Sequence, residues 1–591
     1  MIGIILVALA LGYLSDELTF LAGGVALQVG DVFVLLAILS LAFLGTALIA
    51  QLVESLTARF SRLPAVVKIE PVYGFGTLLA VGVGATLGSP LFILIPLNIE
   101  QYEVISLASL LLATILSVAM AKVYADMYTE SRRLGLEGVG GPSFVRLAAG
   151  KRSARYFISR LSMWVANTAL AAYTKIVFII FDFDFMPQIL AGLGFSPESA
   201  TLTVYVIAAG FIGWTILNIL FEQRYLRMLG TIQVILAGVL VLLLAYHSAA
   251  LGNAGGWNLT GILTLSSGYS WVYALVINTG YLYLLFFGFQ EIQALERDAM
   301  EKSAIPVVSW LKKGFTVERS TYLGVAMVLS VVIASALNIA YGLAVYASHP
   351  ATEVLYHSEI PALYLAKSSL GPGQELLVGV AFLVAAVTTF VPAFLAATRH
   401  LSALGEDGYM PRSLAKLSWV FTVVAIFILA VADMNFLVDI TDFMVLISLG
   451  VITLSAIWLK GRAGVGKKHG KALPLSVAAS CFVFGGAVYF KDPSVVVFGT
   501  MAVMFAYLIF DIIELGSLGA QLFLSLFGFV CLVALGLFRH PVYTTGFMSS
   551  ISQVLGEDPN TLLISGLLVA SALLAMNVVV DVKVLKRTSV R

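Results

Sequence analysis

Apolar runs of about 18 residues or more recur along almost the whole chain, and each is long enough to cross a hydrocarbon layer about 30 Å thick. No water reaches the middle of a bilayer to satisfy backbone N–H and C=O groups, so spanning segments of this kind must be helices. Composition agrees. Of 591 residues, 60% are hydrophobic and only 11% charged, against about 25% charged in typical soluble domains. So few charges cannot wet several soluble globules, and the chain reads as an all-α polytopic membrane protein. Lys plus Arg (34) nearly balances Asp plus Glu (33), so net charge points to no nucleic-acid partner. Cys481 and Cys531 both sit inside apolar runs and read as buried thiols, not a disulfide framework or a metal spacing. Met1 to Tyr13 is apolar but lacks a basic leading region and a small-residue cleavage site, so it reads as part of the mature chain.

Spans are expected near 32–57, 71–98, 103–125, 153–182, 200–221, 227–248, 270–297, 320–347, 374–402, 413–432, 438–459, 473–490, 493–513, 516–538 and 561–585. Residues 1–29 are open between an extra span, a re-entrant piece and an interfacial helix, because Ser15-Asp16-Glu17 interrupts their apolar pattern. Alternating these spans places 30 of the 34 basic residues on one side. Lys367, Lys491 and Arg539 fall on the other, and Lys175 lies within a span. Basic residues favour cytoplasmic loops, so the crowded side is expected inside, with the C-terminus cytoplasmic.

Two of the expected helices carry their own breaks. Helix 71–98 contains Gly82-Val83-Gly84-Ala85-Thr86-Leu87-Gly88-Ser89-Pro90 and then Pro96. Glycine costs a helix about 1 kcal/mol against alanine, and proline removes a donor and clashes with the preceding turn. Close helix packing through Gly84 and Gly88 is the bland alternative. Helix 270–297 carries Gly280 and then Phe286-Phe287-Gly288-Phe289-Gln290-Glu291. A carboxylate there costs about 2.5 kcal/mol or more, so it is expected to face a cavity or a partner. This helix comes five spans after the first, an odd step, so the two run in opposite directions. Paired interrupted helices in two inverted halves are the best sequence pointer to the binding site of a secondary transporter. Half-helix N-termini suit an anionic group and unwound carbonyls suit a cation.

The same residues resemble a family. Gly84-Ala85-Thr86-Leu87-Gly88-Ser89-Pro90-Leu91-Phe92 is similar to the first-helix G-x-x-x-G-S-G-x-F of the amino acid–polyamine–organocation transporters. Gly140-Gly141-Pro142 resembles their G-G-P, and Trp164 to Asn167 their W-x-x-N. Asn218 matches an asparagine late in the fourth core helix. Phe286-x-Gly288-Phe289 with Ile305-Pro306 resembles F-x-G-F-E and the following I-P, and Arg399 to Pro411 the R…D-G-x-x-P after the eighth helix. The resemblance implies a LeuT-type 5+5 inverted repeat over 70–460. Extra N-terminal transmembrane segments and a cytoplasmic linker would fill 1–69, and four additional C-terminal helices 461–591. Pro90 departs from the family glycine, and Gln290 stands where the family has glutamate, with Glu291 one residue on.

From the resemblance, substrate is expected at Ala85, Thr86, Gly88, Ser89, Asn167, Phe286, Phe287, Gly288 and Glu291. Asn167 serves equally as an interhelical hydrogen bonder worth roughly 0.6 kcal/mol. In sodium-coupled members, a Ser/Thr pair like Thr388-Thr389 joins first-helix carbonyls, here Gly84 and Leu87. Hydroxyls in helices more often bond back to their own backbone. Gln233 takes a position where some proton-coupled relatives carry lysine, and a glutamine cannot cycle a proton. Lys175 and Glu291 are the conspicuous charges within spans. A proton-sensitive pair is one reading, and outward snorkelling of Lys175 the other.

The function implied is secondary transport of an amino acid or related amine by alternating access in the plasma membrane. A potassium-type inorganic cation carrier of the same superfamily is the alternative. The expected partners are a small-molecule substrate and the lipid bilayer, with no prosthetic cofactor and a sodium ion or proton as coupling ion. A membrane-embedded enzyme would call for paired catalytic or metal groups at depth. The histidines (247, 349, 357, 400, 469 and 540) lie in loops or at helix ends. A reporter that fluoresces only in the cytosol, fused after Arg591, is expected to fluoresce in intact cells, and its silence would invert the topology.

Overall fold

The computed structural model describes residues 20–22, 25–27, 71–133, 140–175, 226–259, 271–305, 315–348, 360–371, 373–409, 417–430, 434–462 and 471–488, with isolated helical positions between 495 and 514. The expected spans 32–57, 200–221, 516–538 and 561–585, and with them Asn218, lie outside the described residues. The chain is an all-α polytopic membrane protein. Among the described residues, six helices are long and apolar enough to cross a bilayer: Val104–Arg132, Arg227–Ala254, Trp271–Ala294, Arg319–Ser348, Gln374–Glu406 and Phe436–Ile457. A seventh span is the pair Phe75–Thr86 and Leu91–Tyr102, bent by 43° at its break.

Chain order defines the helices. α1 is Phe75–Thr86, α2 Leu91–Tyr102 and α3 Val104–Arg133. α4 is Pro142–Ala149, α5 Ala154–Tyr173 and α6 Leu226–Ala254. α7 (Trp271–Leu282) passes into a 3-10 turn, Tyr283–Phe286, and then into the short α8, Glu291–Ala294. α9 is Arg319–Ser348, α10 Pro361–Leu370 and α11 Gln374–Glu406. α12 is Ser418–Leu429, α13 Met434–Arg462 and α14 Ala472–Ala487. The short strands Phe20–Ala22 and Val25–Leu27 pair antiparallel, where span, re-entrant or interfacial alternatives stood open.

Two compact units divide the chain. One is drawn from 64–403 and 434–496, the other from 1–63, 404–433 and 497–591. In the larger unit α13 lies against both α5 and α14. In that unit α9 packs on α3, α6 and α1, and α7 packs on α3. Lipid-facing α6 turns Ile235, Leu242 and Tyr246 outward, whereas Phe92, Phe286, Phe289 and Tyr124 are buried to 1% exposure or less.

Local chemistry sets the element ends. Ser153 caps α5 by accepting a hydrogen bond from the Tyr156 amide at 3.3 Å. Pro142 opens α4 where a missing N–H costs nothing. A Cβ on Gly141 just before it would stand 2.3 Å from the Tyr124 hydroxyl, so only glycine fits. Inside α11, Pro392 cannot donate to the Thr388 carbonyl four residues earlier. Gln233 of α6 replaces that bond, its Nε2 donating to Thr388 O at 3.0 Å.

The two interrupted spans cross closely at Gly288, whose φ is +143°. A Cβ there would lie 2.6 Å from the Ala85 carbonyl carbon and the Thr86 nitrogen. Strain and backbone overlap together predict that Gly288→Ala costs about 2–4 kcal/mol. The expected readout is a lower melting midpoint and a smaller monodisperse yield in detergent; an unchanged midpoint would refute the crossing.

Candidate functional site: two helix breaks around one cavity

α1 stops where its sequence says it must. Leu87 leaves the helix at φ −85°, ψ 54°, and Gly88-Ser89-Pro90 link it to α2. The Leu87 amide still reaches Val83 O at 2.8 Å. Beyond it, no backbone amide among the described residues closes on the carbonyls of Gly84, Ala85 or Thr86. The second span breaks differently. Its helix tightens to 3-10 geometry, Phe287 extends at φ −71°, ψ 130°, and Gly288 turns the chain.

The two breaks run past each other in opposite directions. Gly288 faces Ala85 and Thr86, Ile292 faces Gly82, and Asp298 O accepts the amides of Val72 and Tyr73 at 2.9 and 2.8 Å. Numbers rise along one strand of contact as they fall along the other, which is the antiparallel arrangement the odd step between the spans requires.

Ala85, Thr86, Gly88 and Pro90 from the first break, with Leu284, Leu285 and Phe287 from the second, line a small cavity completed by Leu170 of α5 and Thr389 of α11. Its volume of about 10 Å³ has room for one water. Thr86 Oγ1 donates to Gly82 O at 2.6 Å, and Thr389 Oγ1 to Ala385 O at 2.8 Å. Both hydroxyls therefore bond back to their own helices, while both residues line the cavity.

The expected site residues differ in where they lie. Ala85, Thr86, Gly88, Phe287 and Thr389 line the cavity. Gly288 forms the crossing beneath it. Ser89, Phe286, Leu87 and Thr388 are buried at the breaks without lining it, and the Ser89 hydroxyl has no hydrogen-bond partner. Gly84 packs instead against Gln233 and Thr388, with only a long 3.5 Å contact from Thr389 Oγ1 to its carbonyl. Asn167 and Glu291 lie away from the cavity, both at 0% exposure. The Asn167 amide donates to Met163 O at 2.9 Å, as a helix-bound asparagine does. Lys175 sits past the end of α5, half-buried, and is not paired with Glu291. Pro90, Leu170, Leu284 and Leu285 were not expected as lining residues. A leucine in an apolar helix gives no signal of its direction.

One end of this arrangement is closed by charge. The segment after α8 carries Glu296, Asp298 and Glu301. Arg399 of α11 pairs with Asp298 at 3.2 Å, Arg132 of α3 with Glu296 at 3.5 Å and Glu301 at 3.6 Å, and Arg319 of α9 with Glu301. Tyr128 donates to Glu296 at 3.3 Å and Tyr322 to Met300 O at 2.5 Å. The entry to α1 is tied in as well, through Phe75 N to Ser303 Oγ at 2.8 Å. All three arginines belong to the basic side of the expected topology.

No protein-family model matches the chain, and no curated protein does. Solved structures do resemble it. A crystal structure of the Eremococcus coleocola manganese transporter, as a histidine-to-alanine mutant, covers 80% of this chain and 98% of its own at 13% identity and a TM-score of 0.48. A glutamate-to-alanine mutant of that transporter gives 14% and 0.48 over the same shares. Its complex with an aromatic bis-isothiourea compound gives 13% and 0.47, again over 80% and 98%.

Asp298 is 1% exposed and Arg399 17%, so removing one partner strands the other out of water. Asp298→Asn is expected to cost about 1–3 kcal/mol. Its double-mutant cycle with Arg399→Gln should show coupling of similar size in melting midpoints. Additive midpoints would mean the pair is ornamental.

Proposed function

We propose that the chain is a secondary carrier in the plasma membrane that moves an amino acid or related amine by alternating access, with the solute held between the two breaks. The observation that supports this is the crossing of Ala85–Thr86 with Gly288, which leaves unpaired peptide groups around a cavity at membrane depth. Such backbone is tolerated only where it lines a cavity or a ligand. The carbonyls of Ala85 and Thr86, which no backbone amide among the described residues closes on, suit an ammonium group together with the Thr389 hydroxyl. The start of α2 supplies a partial positive charge for a carboxylate. Pro90 at that start removes one donor, which lowers the anchoring available to the anion.

A second reading has one specific observation behind it. The cavity in this state accepts a body the size of one water, which suits a bare monovalent cation better than an organic side chain. A divalent metal fits less well. The lining contains no carboxylate, imidazole or sulfur, and among the described residues no three His, Cys, Asp or Glu side chains converge as a metal site. The chain is read as a carrier, not an enzyme. The charged cluster of Glu296, Asp298 and Glu301 then acts as the inner gate, and a sodium ion or proton as the driving ion.

Proteoliposomes loaded across a panel of amino acids, amines and rubidium, with sodium and proton gradients imposed separately, test both readings. Gradient-driven uptake of an amino acid or amine is expected, saturating and lost on collapse of the gradient. Rubidium uptake alone would select the inorganic reading, and no flux of any kind would defeat carrier activity. Thr389→Val keeps the side-chain shape but loses the hydroxyl, and should raise the KM for uptake about tenfold. Thr389→Ser should restore it.

A further inference from the structure

Gln290 and Gln293 sit on the segment that leaves the second break, each 1% exposed, and they fare differently. Neither atom of the Gln293 side-chain amide has a hydrogen-bond partner. Both ends of the Gln290 amide are engaged. Its Oε1 accepts from the Gly288 backbone N–H at 3.2 Å, and its Nε2 donates to Glu291 Oε1 at 3.2 Å. Each partner has a need that the backbone does not meet. Gly288 holds φ +143° against Ala85 and Thr86, and no backbone carbonyl among the described residues takes its N–H. Glu291 opens α8 at 0% exposure, where a carboxyl needs donors.

An amide carries an acceptor and a donor side by side, which is what these two partners call for. A hydrocarbon side chain would leave both bare, and a carboxylate would meet Glu291 with like charge. The elements packed on α8 bring little else to this spot. α1 has no titratable side chain, and α9 turns Arg319 and Tyr322 to the segment 296–301. Glu296 and Asp298 in the turn that follows pair with Arg132 and Arg399. The Tyr124 phenol of α3, whose hydroxyl lies against Gly141, is a further titratable group within reach of Glu291.

We propose that Gln290 is a positioning residue of the solute site. Its amide fixes the Gly288 turn against Ala85 and Thr86, and so holds the wall that Phe287 and those two α1 residues present to the cavity. Gln290 itself does not line the cavity and acts through Gly288. The bond to Glu291 sets which way the amide faces, with its oxygen toward the turn and its nitrogen toward α8. A role at a solute site rests on the carrier reading above; the bracing of the turn does not.

Uptake kinetics and melting of the full-length protein test this, with KM measured on the best carried of the panel's amino acids, amines and rubidium. Gln290→Leu loses both bonds and is expected to raise KM about tenfold, with maximal velocity within about twofold of wild type. Gln293→Leu removes an amide that bonds nothing, and its KM should match wild type. Gln290→Glu gives a second reading. In acid its protonated carboxyl accepts from Gly288 and donates to Glu291, whereas two adjoining carboxylates lose that arrangement as pH rises. Against wild type at the same pH, its KM and melting midpoint should agree in acid and approach the Gln290→Leu values as pH rises. If Gln290→Leu does not fold, this pH profile carries the test alone. A Gln290→Leu KM equal to wild type, an equal rise in Gln293→Leu, or a Gln290→Glu offset that ignores pH overturns the assignment. A pH-dependent Gln290→Glu midpoint without flux of any solute would defeat the carrier reading and leave the brace standing; saturable flux indifferent to Gln290→Leu would do the reverse.

Discussion

Every peptide group inside a bilayer needs a partner, and this chain breaks that rule in two places that touch. The crossing of Gly288 with Ala85 and Thr86 is what the rest of the larger unit is built around. Only glycine can hold φ near +143° with a backbone on its open side, so the two half-helices approach more closely than side chains would allow. Their ends then face one another across a space the size of a single water. The long spans α3, α6, α9 and α11 are scaffolding for that approach, packed by ordinary apolar burial.

Much of this was legible from residue types alone. Gly-Ser-Pro cannot propagate a helix, and α1 ends within two residues of Gly88-Ser89-Pro90. The second break was legible in place but not in form. Gly288 marked it, yet the 3-10 tightening of Tyr283–Phe286 depends on how α7 meets its neighbours, which no local pattern encodes. The antiparallel sense of the breaks followed from counting spans, and the contacts of Gly82, Gly288 and Asp298 agree with it. The charged cluster was half-legible: its arginines stood on the basic side of the topology, but nothing in their spacing tied Arg132, Arg319 and Arg399 to one acidic segment.

The site itself was less readable, and for a physical reason. A polar residue in an apolar helix announces that it needs a partner, not which partner it has. Asn167 and Glu291 were expected at the substrate, and they sit together away from the cavity. Leu170, Leu284 and Leu285, which shape the cavity, carried no mark at all. Thr388 and Thr389 illustrate the same limit from the other side. Adjacent residues on a helix point about 100° apart, so Thr389 lines the cavity while the Thr388 side chain lies against Gly84.

That contact with Gln233 has a mechanical side. Proline at 392 would ordinarily leave α11 with a loose joint, free to flex in several directions. Because the amide that closes the joint comes from α6, the two helices are yoked at that level like a pair of oars on one pin. A sway that carried α11 alone would have to snap the yoke. A bend shared by both helices keeps that hydrogen bond, and Gly84 of α1 rests against the same amide.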